Sequence, residues 1–208
     1  MSGYTMNDPR LQFDPQSHTY RLGASVLPSV TQILADVGIS DFSQPWFTED
    51  VRDRGSYMHA AILLDQQGDL DEGQLDPQLV PYLAGWRQFV METSAEVEFC
   101  EQRLCDPVLG IAGTLDGIIL LPTPTGRKRR VLIDLKRAFY PSAAIQLAAY
   151  QHMAHGLYDQ PVAFERAVVE LPGNYGYRMH LLTDPLDRST WQAAVRIFQW
   201  RRENHVAA

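Results

Sequence analysis

Gly113-Thr114-Leu115-Asp116-Gly117-Ile118-Ile119-Leu120, a turn at Thr123-Pro124-Thr125-Gly126, and then Val131-Leu132-Ile133-Asp134-Leu135-Lys136 decide the fold. Both runs are rich in β-branched and aliphatic residues and read as strands, Ile111 to Leu121 and Arg130 to Leu135, made neighbours by the turn. Each carries an aspartate in an apolar setting. A carboxylate desolvated in a sheet costs several kcal/mol unless a cation or hydrogen bonds compensate it, and one shared metal ion would compensate both. Side chains alternate along a strand, so Asp134 and Lys136 project from one face while Ile133 and Leu135 face the other layer.

Outward from this pair the chain divides at Glu96. Toward the N-terminus, Leu11 to Leu22 reads as a small hairpin turning at Asp14-Pro15-Gln16-Ser17. Pro28-Ser29 opens a short helix through Val30, Ile33 and Leu34, with Ser29 as its N-cap. Helices follow from about Thr48 to Gln66 and from about Asp76 to Glu92, where Leu79, Leu83, Trp86 and Val90 recur at helical spacing. Beyond Glu96, Val97 to Leu104 is a further strand. Pro141 to His155 has helical composition, Val162 to Leu171 and Tyr177 to Thr183 read as strands, and a last helix runs from about Asp184 to Glu203. The order predicts an α/β or α+β protein, a central mixed sheet flanked by helices with an N-terminal helical region.

With hydrophobic residues at 45% and charged residues at 21% of 208, the chain can bury a real core, which excludes global disorder. Its 25 acidic against 18 basic residues give a net charge of −7, so any contact with a polyanion needs a local basic patch. Arg127, Lys128, Arg129, Arg130, Lys136 and Arg137 offer one. The alternative is a solvated basic turn. No stretch resembles a membrane span, and no basic n-region opens the sequence, so the expected compartment is the cytoplasm and no membrane partner is expected. Only Cys100 and Cys105 are present, too few for a four-cysteine zinc or iron-sulfur cluster. No Gly-x-x-x-x-Gly-Lys-Ser/Thr occurs, so ATP is not expected as a cofactor.

If Asp116 reaches the point where Asp134 and Lys136 meet, two hard oxygen ligands could hold Mg2+ or Mn2+, and Lys136 could orient an attacking water. That is the arrangement of metal-assisted phosphodiester hydrolysis. Asp-x-Lys alone recurs by chance and also serves as an ordinary surface ion pair. Its context is more specific. Arg54-Gly55 leading to His59, Gly113-Thr114-Leu115-Asp116, Asp134-Leu135-Lys136, and Gln146 with Tyr150 stand in the order and spacing of the PD-(D/E)XK nuclease superfamily. The chain resembles in particular its RecB-like exonuclease branch, and Pro28-Ser29-Val30-Thr31 looks like the opening of mitochondrial and phage-type relatives. The resemblance covers about Pro28 to Tyr150.

This resemblance implies a restriction-endonuclease-like core and a single nuclease domain over 1–208, in which 1–95 is mainly helical and 96–208 carries the catalytic sheet and its covering helices. It implies a metal-dependent DNA exonuclease of recombination, repair or phage-like DNA processing. A structure-selective endonuclease and a catalytically inactive nucleic-acid-binding member are the alternatives. Asp116, Asp134 and Lys136 would be catalytic, and the metal would be held by His59, Asp116, Asp134 and the Leu135 carbonyl. Glu101 is a further acid for that centre, with Glu98 competing for the role. DNA would be met by Gln146, Tyr150, Arg54, Arg137, Arg129 and Arg130. The iron-sulfur cysteines and helicase domains of some relatives are absent, so the protein would act alone, as a homo-oligomer or with a protein partner. His152 and His155 have ligand-like spacing, and a solvated helix end is the preferred reading for them.

Overall fold

The computed structural model describes residues 8–40 and 49–206, with the side chains of 49–54 outside that description. In chain order its elements are β1 (Leu11–Asp14), β2 (Thr19–Leu22), β3 (Ser25–Leu27), α1 (Val30–Asp36), α2 (Glu49–Gln67), α3 (Val80–Thr93), β4 (Glu96–Asp106), β5 (Ile111–Pro122), β6 (Lys128–Lys136), α4 (Ser142–Ala154), β7 (Phe164–Glu170), β8 (Arg178–Leu181) and α5 (Leu186–Glu203). Strands β4 to β8 form one sheet in sequential order. All neighbours are antiparallel except β6 and β7, which run parallel across the α4 connection. This is the mixed, helix-flanked α+β sheet that the sequence pattern predicts.

Alternation within the central strands splits the core into two layers. Leu132 of β6 and Val168 of β7 pack with α1, α4 and α5 on one face. Val131, Ile133 and Leu135 pack with α2 and α3 on the other, around Trp86 and Phe89. Burying each large side chain of this kind is worth about 1.5–3 kcal/mol, so the central strands are held from both sides.

The hairpin read over Leu11 to Leu22 is present but belongs to a three-stranded sheet, because β3 adds to β2 in register with Tyr20 opposite Leu27. At three residues, β3 is too short to show a period in sequence. Ser29 caps α1 through a capping box with Gln32, in which each residue satisfies the other's backbone N–H. The same turn is tied to the main sheet, since the Ala112 N–H donates to the Pro28 carbonyl at 3.0 Å. The helix read from Asp76 starts later, at Val80, with Pro81 in its first turn. No helix among the described residues is long and apolar enough to cross a membrane.

Candidate active site

Strands β5 and β6 are paired up to Gly117 opposite Ile133. The next step along the ladder brings Asp116 and Asp134 together at the C-terminal end of β6. Asp116 Oδ2 accepts from the Leu135 N–H at 2.6 Å. Asp134 is 1% exposed; its Oδ1 accepts from Lys136 Nζ at 2.8 Å, and its Oδ2 is buried without a hydrogen-bond partner. An orphaned buried carboxylate oxygen is costly to leave unpaired.

From the opposite layer, α2 sends His59 to the same point. Its Nε2 lies 3.2 Å from the Leu135 carbonyl, and its Nδ1 lies 3.2 Å from Glu101 Oε1 and 3.4 Å from Asp116 Oδ1. One ligand atom each from His59, Glu101 and Asp116 falls within 4.8 Å of the others. Glu101 faces this point from β4 with left-handed backbone, φ 51°. A non-glycine residue there costs about 1–2 kcal/mol, a strain found where surrounding structure fixes a side chain.

The charges are tightly interlocked. Burial works against a charged His59, but Asp116 and Glu101 prevail and push its pKa up to about 10. Burial likewise opposes ionisation of Asp116, yet the His59 imidazolium and Lys136 hold its carboxyl below the ordinary value. Asp134 is pushed up, chiefly by burial, with Lys136 opposing and Asp116 adding to the rise. Lys136 is held above its ordinary value despite burial because Asp134 and Asp116 lie beside it. Imidazolium and ammonium thus offset part of the negative charge of three carboxylates, and a bound cation would complete the neutralisation. Once His59 gives up its proton to an incoming cation, imidazole, carboxylates and the Leu135 carbonyl, together with the unpartnered Asp134 oxygen, form a donor set that suits a hard or borderline divalent cation such as Mg2+ or Mn2+.

The structure distinguishes the two competing acids of β4. Glu98 is taken by Arg130, whose Nε and a terminal nitrogen donate to it at 2.8 and 2.9 Å, and by the Tyr158 hydroxyl at 2.7 Å. Glu101 alone joins His59 and Asp116. The basic turn does not surround this centre. Lys128 pairs with Glu96, Arg129 with Glu165 and Arg130 with Glu98, near the far end of β6 from Lys136. Arg137 follows Lys136 but turns to α3, its Nε donating to the Tyr82 hydroxyl at 3.2 Å. The Arg54 side chain lies outside the described residues.

Gln146 is half-buried on α4, whereas Tyr150 is buried in the core. Its ring lies against Gly113, where a Cβ would stand 2.7 Å from Cε1. Tyr20 of β2 is the neighbour that sequence reasoning missed: its hydroxyl is 2.7 Å from Thr114 Oγ1, two residues before Asp116. The Cys100 thiol is pushed up to about 12 by burial and by the carboxylates of Glu101 and Asp116, which keeps it protonated and unreactive. His152 is not a solvated helix end, because its Nε2 donates to the buried Asp106 at 2.9 Å.

No family model and no curated protein matches the chain. A solved structure from Eubacterium rectale, described as a "Putative exonuclease", has a TM-score of 0.52 and 14% sequence identity over 88% of this chain and 83% of that one. At that identity the likeness is one of fold alone.

Proposed function

We propose that the protein is a metal-dependent nuclease that hydrolyses phosphodiester bonds in DNA, acting from chain ends as an exonuclease. One observation carries the reading: His59, Glu101 and Asp116 converge from three elements to within 4.8 Å, beside the Asp134–Lys136 pair. The fold shared with a chain described as an exonuclease supports it. His59, Glu101, Asp116, Asp134 and the Leu135 carbonyl would hold Mg2+ or Mn2+. When bound, the ion supplies Lewis acidity, lowering the pKa of water and neutralising charge that develops on the phosphate.

The chain's own residues do the rest. Asp134 holds the Lys136 ammonium at 2.8 Å, fixing a cation where a water and a non-bridging phosphate oxygen can both be met. The water oxygen forms the new bond to phosphorus and gives up a proton to solvent, the bond to the leaving oxygen breaks, and that oxygen leaves carrying the electron pair and takes up a proton from solvent. The Leu135 N–H keeps Asp116 from turning away. The site lies on strands packed from both faces, so its groups are organised before substrate arrives. DNA repair, recombination or phage-like DNA processing in the cytoplasm is the setting such a domain fits, with DNA as its partner.

The test is digestion of linear DNA by wild type, Lys136→Ala and Asp116→Asn with Mg2+, Mn2+ or a chelator. Metal-dependent loss of substrate by wild type, reduced at least about a hundredfold in both variants, is the expected result. Equal cutting by all three would sink the assignment. Circular single-stranded DNA left intact supports attack at ends, and its cutting would mean an endonuclease.

A further inference from the structure

The face of the sheet that carries Asp134 and Lys136 continues toward the β8 edge in two rows. Lys136 is opposite Glu170, which is opposite Arg178; Asp134 is opposite Val168, which is opposite His180. Directly opposed residues share a face. The row therefore runs from the candidate metal centre to Arg178, two strand spacings or about 10 Å away.

Glu170 is buried and organises this edge. His180 Nε2 donates to it at 2.7 Å, and an Arg178 terminal nitrogen donates at 3.1 Å. The carboxylate thereby fixes the imidazole, and the Phe139 ring stacks on it with centroids 4.7 Å apart and planes 24° from parallel. Phe139 belongs to the loop that follows Lys136 and remains 37% exposed, although a phenyl ring gains by burial. The Arg178 side chain is 64% exposed, and its hydrogen bond to Glu170 uses one nitrogen, leaving further guanidinium donors for an anion. An exposed aromatic on a pinned imidazole, beside a half-engaged guanidinium, is more preparation than a solvated loop needs.

We infer that Phe139, His180 and Arg178 form a nucleotide subsite beside the candidate centre, in which an unpaired base stacks on Phe139 and a flanking phosphate meets Arg178. The inference rests on the nuclease reading and narrows its substrate. A base lying on Phe139 has left its duplex, so the preferred substrate is a single strand or a frayed end. At about 3.4 Å per stacked nucleotide, a reach of about 10 Å spans a few nucleotides. Stacking accepts any base, so the subsite confers no sequence preference.

The test is binding of a short fluorescein-labelled oligothymidylate in chelator, followed by anisotropy across salt concentrations, with cleavage of the same oligonucleotide in Mn2+ measured alongside. Phe139→Leu weakens binding about tenfold and leaves the salt slope unchanged, while Phe139→Trp binds like wild type. Arg178→Gln weakens binding and lowers the logarithmic salt slope by about 0.7, one phosphate contact on a single strand. Thermal melts of all variants check the fold. Wild-type affinity in Phe139→Leu, or an equal loss on blunt duplex that presents no unpaired base, overturns the subsite. Wild type that binds through Phe139 and never cuts keeps the subsite and removes the nuclease reading. Wild type that cuts alongside an indistinguishable Phe139→Leu does the reverse, and failure to bind or cut removes both.

Discussion

Gly113 and Tyr150 carry two separate sequence patterns, a glycine three positions before an aspartate and a tyrosine four positions after a glutamine, and the structure makes them halves of one contact. A methyl on Gly113 would stand 2.7 Å from Tyr150 Cε1 and 2.8 Å from its hydroxyl, closer than atoms can settle. Gly113→Ala is therefore expected to cost about 1–3 kcal/mol in urea unfolding. Adding Tyr150→Leu should return part of the loss if the clash is its cause. The patterns were legible and the physics behind Tyr150 was not, because a helical tyrosine faces core or groove depending on what lies opposite. The acids behaved similarly. Asp116, Asp134 and Lys136 stand out as charges in apolar strands. Glu101 does not stand out against Glu98, because a register break between Val97 and Phe99 and the left-handed residue itself upset the two-residue period that would assign their faces.

At the scale of elements, the strands β4 to β8 and the helices follow the hydrophobic pattern closely, and the departures have local causes. Helix α4 is buried at Ala143, Ile145, Leu147, Ala148, Ala149, Tyr150, Met153 and Ala154, too many positions for one stripe, so it lies within the core and not upon it. One of its polar links to the sheet is His152, donating to Asp106 at the end of β4. Asp106 also accepts from the Val108 and Leu109 N–H groups at 2.8 and 2.9 Å. Burial raises the Asp106 pKa, but His152 and the two amides together hold it below the ordinary 3.8. A carboxyl whose folded pKa is depressed contributes stability above its unfolded value and loses it as pH falls through the folded one. The urea midpoint of wild type should thus exceed that of Asp106→Asn near neutrality. The gap should narrow below about pH 4, and a gap independent of pH would assign the site to backbone bonding alone.

Across the whole molecule, the −7 charge and the basic turn cancel locally. Glu96, Glu98 and Glu165 engage Lys128, Arg130 and Arg129, so three of the four cations in the densest basic run are paired within the chain. Composition could not reveal this, since the partners lie more than thirty positions away in sequence and meet only through sheet pairing. Contact with DNA, as proposed, would accordingly lean on few positive groups near the centre. Glu101 sets a different kind of limit. It holds left-handed backbone and lies beside the Asp116 carboxylate, a cost set against its contact with the His59 ring. Glu101→Gly should lower the melting midpoint of the metal-free protein near neutrality, because the charge-assisted contact with His59, worth about 1.5–3 kcal/mol, outweighs relief of about 1 kcal/mol of backbone strain; a raised midpoint would show that strain dominates at this position. A laboratory campaign that selected only for heat resistance would therefore keep this acid, because the same side chain that strains the backbone shores up a partly buried cation.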